Sequence, residues 1–231
     1  MRVETSTVTG PWFSPRARIT LFAVLTLSGA VATGCVDAPA TDSADSAEAD
    51  ALEASFPPRG EAAADDPQLA FWASLESLCS QTFHGQVVES QPPDETFAGK
   101  TLMMQVRACT DEEIRIPFHV GEDRSRTWVL TWTETGLRLK HDHRHDDGTE
   151  DEVTQYGGDS RGPGTAALQE FYADAFTAVL VPAAATNIWS IEIEPGRIFA
   201  YALQREGTDR RFRVEFDLRE PRAAAPPPWG G

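Results

Sequence analysis

The sequence predicts a mainly β fold: an antiparallel meander of about nine strands, curled into an up-and-down barrel or strongly curved sheet, with one N-terminal helix and one short later helix. Three observations lead there. Beyond about residue 85 apolar and polar residues alternate, mostly with a period of two; typed turn signals separate many of the alternating runs; and the stretch just before them repeats with a period near four.

Asp66-Pro67 supplies an N-cap and a first helical residue, after which Leu69, Phe71, Trp72, Leu75, Leu78 and Cys79 recur at helical spacing. One amphipathic helix ending near Phe83-His84-Gly85 is expected. Ile114, Ile116, Phe118 and Val120 then alternate with Arg115, Pro117 and His119, and Phe212, Val214, Phe216 and Leu218 alternate with Arg211, Arg213, Glu215 and Asp217. These are half-buried antiparallel strands. Further strands are expected at 86–90, 101–109, 127–133, 137–145, 149–156, 188–194 and 197–205. Thr133-Glu134-Thr135-Gly136 suits a type I turn with a glycine bulge, Asp147-Gly148 a type I′ hairpin, and Glu194-Pro195-Gly196-Arg197 a type II turn. Over 166–181 a strand followed by a short helix capped by Asp174 is preferred to a single helix. The short spacings leave no room for crossover helices between most strands, which excludes a parallel α/β sheet. Closing into a barrel is the simplest way for such a meander to hide its edges.

The segment ahead of the fold carries an address. Arg16 and Arg18 precede an uncharged run from Ile19 to Gly34 whose apolar part is too short to span a bilayer as a helix and reads as a signal peptide. The run ends in Ala32-Thr33-Gly34-Cys35, which resembles the lipobox of bacterial lipoproteins. That resemblance implies loss of residues 1–34, lipidation of Cys35 as the mature N-terminus, and, with Val36 in place of Asp at the second mature position, anchoring in the outer membrane with the folded domain in the periplasm. The other reading is an ordinary secreted protein in which Cys35 is incidental. Residues 35–66 are rich in Ala, Asp, Glu, Ser and Pro and are expected to form a disordered acidic tether. The β domain is expected over 67–222, and the Ala-, Pro- and Gly-rich residues 223–231 as a loose end.

With Cys35 taken by lipid, Cys79 and Cys109 are left as a pair in an oxidising compartment, and a disulfide closing a loop of about 30 residues is expected. Charge narrows the partners. Acidic residues outnumber basic ones 36 to 20, a net charge of −16, with only Lys100 and Lys140 as lysines. A nucleic-acid binder, which needs basic stripes against phosphate, and a polybasic contact with anionic lipid are both excluded.

One constellation holds possible chemistry. A two-residue turn at Asp147-Gly148 sets His145 opposite Glu150, His143 opposite Glu152 and His141 opposite Thr154, with Leu137, Leu139, His141, His143 and His145 on one face. His141 and His143 with Glu152 form a candidate zinc set of two imidazoles and a carboxylate; the alternative is a polar strand end already in solvent. His141 and His145 are ~13 Å apart at the strand rise, so the three histidines cannot share one ion. His84 and His119 are expected in solvent. The aromatics Trp128, Trp132, Trp189, Phe199 and Tyr201 fit either a filled core or the lining of a small apolar pocket. Motifs for serine hydrolases, zinc proteases, P-loops, dinucleotide sites and EF-hands are missing from the sequence.

The stretch Arg115 to Gly158, with its Ile-Pro-Phe-His-Val, Thr-Trp-Val-Leu-Thr and His-Asp-His-Arg-His segments, resembles a group of uncharacterised proteobacterial secreted proteins and lipoproteins, a likeness that brings no activity with it. The meander is also reminiscent of lipocalin-like barrels in architecture, without their signatures. The leading expectation is a non-catalytic domain that binds a small apolar ligand or an envelope partner. A His/Glu metal protein or metal-dependent enzyme, and a structural envelope lipoprotein without ligand, are the alternatives. A lined cavity favours the first, convergent His141, His143 and Glu152 the second, and a filled barrel the third.

Overall fold

A computed structural model describes residues 66–231. The expected signal segment, Cys35 and the tether up to residue 65 lie outside the described residues. Asp66 caps helix α1 (Pro67–Glu76), its carboxylate accepting from the N–H groups of Gln68 and Leu69, and Pro67 occupies the first turn, where a missing N–H costs nothing. The helix stops at Ser77, earlier than its apolar spacing suggests. A turn over 77–81 leads into β1 (Thr82–Gln91), so Phe83 is a strand residue.

Ten further strands follow: β2 (Leu102–Gln105), β3 (Ala108–Cys109), β4 (Glu113–Val120), β5 (Asp123–Thr133), β6 (Gly136–His143), β7 (Tyr156–Asp159), β8 (Leu168–Ala173), β9 (Asn187–Glu194), β10 (Ile198–Arg205) and β11 (Arg211–Asp217). Between β8 and β9 lie the short helix α2 (Ala175–Leu180), capped by the Asp174 carboxylate as expected, and one 3₁₀ turn (Pro182–Ala184). Every pairing is antiparallel, and because β2 pairs with both β1 and β4, ten strands close into a barrel, with β3 added beside β4. The expected barrel is present, with 101–109 split into β2 and β3. Among the described residues no helix is long and apolar enough to cross a membrane.

The alternating residues fill the interior: Phe83, Met104, Ile116, Leu130, Leu139, Ile191, Phe199, Val214 and Phe216 are fully buried or nearly so. Helix α1 closes one end. Phe71, Trp72 and Leu75 are buried there, Trp72 packs on Trp132 at 5.5 Å between ring centroids, and the Gln68 amide donates to Ser160 Oγ, the Gly162 carbonyl and Gln169 Oε1. Just beyond it Cys79 and Cys109 form the expected disulfide, with Cα atoms 6.4 Å apart, inside the ~4.4 to 6.8 Å such a bridge requires.

The C-terminal segment is not the loose end its composition suggests. The Arg222 N–H donates to the Thr82 carbonyl, the Ala225 N–H to Thr82 Oγ1, the Arg124 guanidinium to the Pro227 carbonyl and the Trp229 N–H to the Arg124 carbonyl, while Gly230 lies against Gly148. Thr82, Gln105, His119, Thr127 and Asp142 all sit at outward positions of their strands and are nonetheless buried. The line of contacts from Thr82 to Gly148 crosses the same part of the barrel wall. His119, expected in solvent, is only 2% exposed and its Nε2 has no hydrogen-bond partner among the described residues, whereas His84 is exposed as expected.

Candidate functional site

The end of the barrel opposite α1 carries a cavity of about 130 Å³. Its floor is aromatic: Phe97, Phe118, Trp128, Tyr201 and Phe212, with Trp128 stacked on Tyr201 at 4.4 Å and on Phe118 at 4.9 Å between centroids. Its wall is polar. The inward face of β6 runs Leu137, Leu139, His141, His143, and burial falls along it, from fully buried leucines through His141 at 4% exposure to a half-buried His143 and an exposed His145. Arg138 and Lys140 take the outer face, held by Asp159 and Asp174.

The hairpin register differs from the expected one. Asp147 has no positive φ, because its carboxylate accepts from both the N–H and the hydroxyl of Thr149; only Gly148 is left-handed, at φ 86°. That makes a turn from His145 to Thr149 with a glycine bulge in place of a two-residue type I′ turn, and Arg144 faces Glu150. A second irregularity at 151–155, closed by Gln155 at φ 59°, shifts the ladder by three residues, which leaves it two away from the expected register at His141. His141 therefore faces Tyr156, and Glu152 is exposed in the loop. The predicted set of His141, His143 and Glu152 is not assembled, and among the described residues no group of three His, Cys, Asp or Glu side chains is placed to hold a metal ion.

Tyr156 fills the place expected for the carboxylate. Its ring stacks on His141 at 4.5 Å with an interplanar angle of 7°, and its hydroxyl meets His143 Nε2 at 3.2 Å. The Nδ1 of His141 is 3.0 Å from the Tyr156 carbonyl, which can only accept, so Nδ1 carries the proton. Nε2 then accepts from the Tyr201 hydroxyl at 2.7 Å. Burial lowers the His141 pKa to about 3 and raises that of Tyr156 to about 12; it also raises Tyr201 well above its usual value and lowers His143. The two Tyr–His pairs are neutral polar fixtures in an apolar end.

The remaining aromatics divide. Trp128 and Tyr201 line the cavity; Trp189 lies behind the histidines, 5.2 Å from the His141 ring, and lines an adjoining depression of about 330 Å³. That depression shares His143, Tyr156, Tyr201, Leu203 and Arg210 with the cavity. Trp132, expected with the ligand-lining set, is instead at the closed end against Trp72. The rim adds groups that sequence reasoning missed: Asp94 from the β1–β2 loop, Arg126 on β5 and Arg210 from the β10–β11 turn. No local pattern marks them, since only barrel closure brings the three together. No protein-family model, curated protein or solved structure matches this chain.

Proposed function

We propose that this chain is an outer-membrane lipoprotein, anchored through Cys35, whose periplasmic barrel takes a small, largely apolar ligand into its open end without catalysing a reaction on it. The observation that carries the reading is a barrel plugged by α1 at one end and opening at the other on a cavity floored by Trp128, Phe118 and Phe212. Aromatic walls with a few oriented polar groups are what small-ligand sites are made of. His141 and Tyr156 are not poised for proton transfer. An acid or base that works near neutral pH needs a pKa near 7, whereas His141 is held at about 3 and Tyr156 at about 12. Anchoring is supported by the lipobox-like run before Cys35.

Native mass spectrometry of the purified protein, with titration of its tryptophan emission by benzyl alcohol, tests the pocket. A single saturable site whose signal is lost in Trp128→Phe is expected; no saturable change would overturn the reading. For the anchor, Cys35→Ser is expected to release the protein from membranes, and unchanged membrane association with unchanged mature mass would overturn it.

A further inference from the structure

The charges on the rim are left unused by an apolar ligand. Arg126 is bound to Asp123 at 2.5 Å, so that pair is internally neutral. Asp94 and Arg210 are different. Both line the cavity, they come from separate loops, and among the described residues neither is in an ion pair. Asp94 gives one carboxylate oxygen to the Thr96 N–H at 2.9 Å, and the Arg210 guanidinium makes no hydrogen bond with a described residue. They are close enough to sense each other, for Arg210, and after it Arg126, adds to the Thr96 hydrogen bond in holding the Asp94 carboxyl below its usual range. One acid and one base, neither in an ion pair among the described residues, thus share an aromatic-floored cavity with the Asp123-bound Arg126 and two neutral Tyr–His pairs.

An anion here would leave Asp94 unmatched and a cation would leave Arg210 unmatched. A ligand carrying both charges matches both. Resting on the small-ligand reading above, we propose that the site takes a small zwitterion with a flat apolar side chain, an α-amino acid or close relative, with its carboxylate on Arg210, its ammonium on Asp94 and its side chain against Trp128 and Phe212. A net-neutral ligand is also indifferent to the chain's excess of acidic over basic residues, which repels anions. The cavity, about 130 Å³, has room for a benzyl-sized side chain with the zwitterionic head at the rim.

The test is calorimetric titration of the purified full chain with L-phenylalanine, 3-phenylpropionate, which lacks the ammonium, and 2-phenylethylamine, which lacks the carboxylate. Phenylalanine is expected to bind at least about tenfold tighter than either half-ligand. Arg210→Gln is expected to weaken phenylalanine about tenfold without weakening phenylethylamine, while Asp94→Asn weakens phenylalanine alike without weakening phenylpropionate. Equal affinity for all three compounds, or variants that bind phenylalanine normally, overturns the assignment. If phenylalanine fails to bind while benzyl alcohol saturates the Trp128 signal, the zwitterion falls and the apolar pocket stands. If neither binds, both fall.

Discussion

The Tyr201 hydroxyl donates to His141 Nε2 at 2.7 Å, tying two strands that are not neighbours in the sheet, β6 and β10, across the barrel's open end. With the Tyr156 carbonyl on its other nitrogen, His141 has no free hydrogen-bonding capacity. A buried imidazole so satisfied orients the wall of the cavity and contributes specificity to the packing rather than a proton to a reaction.

Tyr201→Phe keeps the ring and removes the donor, leaving His141 Nε2 buried and unpaired. A loss of about 1–3 kcal/mol in unfolding free energy is expected, read as a lower urea midpoint with unchanged slope. An unchanged midpoint would mean the hydrogen bond contributes nothing.

Stability is expected to fall on acidification. His141, His119 and His143 all have folded-state pKa values below the ordinary 6.5, each chiefly through burial. Such groups take up a proton on unfolding, so the unfolded state binds more protons and stability drops as pH falls below 6.5; for His141 the loss continues to about pH 3. Between pH 7 and pH 5 His141 alone accounts for about 2 kcal/mol. Denaturant titrations at the two pH values measure it, and His141→Gln should flatten the difference by about that amount.

The Cys79–Cys109 bridge spans 30 residues and fastens the segment after α1 to β3. Replacing both cysteines by serine is expected to lower stability by roughly 3 to 4 kcal/mol on the chain-entropy account. Adding reductant should shift the wild-type denaturation midpoint and leave that of the double variant in place.

Removing residues 223–231 takes away the hydrogen bonds on Thr82 Oγ1 and Arg124 and uncovers part of the buried outer row. A loss of roughly 1–3 kcal/mol is expected. The sharper readout is His119: once wetted, its NMR titration should move up toward 6.5, since burial is the main cause of its depression. A His119 titration unaltered by the truncation would show that something else covers it.

Most of the fold was legible because its signals are local. The period of two survives in the burial of β11, of β6 up to His141 and of β4 up to Ile116, Asp66 and Asp174 cap the helices they precede, and the Glu194–Arg197 turn closes with Gly196 at φ 68°. The order of burial along Leu137, Leu139, His141, His143 and His145 also follows from alternation alone. The site was less legible, and the reason is geometric. Whether Asp147-Gly148 makes a two-residue turn or a bulged one depends on where the Asp147 carboxylate finds its donors, and the slip at 151–155 exchanges Glu152 for Tyr156 beside the histidines. No single-strand pattern can report that, because register belongs to a pair of strands.

The sequence by itself determined the alternation, the caps, the paired cysteines and the acid excess, all properties of neighbouring residues or of totals. Tertiary structure alone decided that β2 bridges β1 and β4, that α1 stops one end, that the Pro-rich tail is bound to Thr82 and Arg124, and that Asp94 and Arg210, far apart along the chain, line one rim. Those are consequences of closure. A barrel brings together residues by their height and angle on a cylinder, and neither coordinate is written at any one position of the chain.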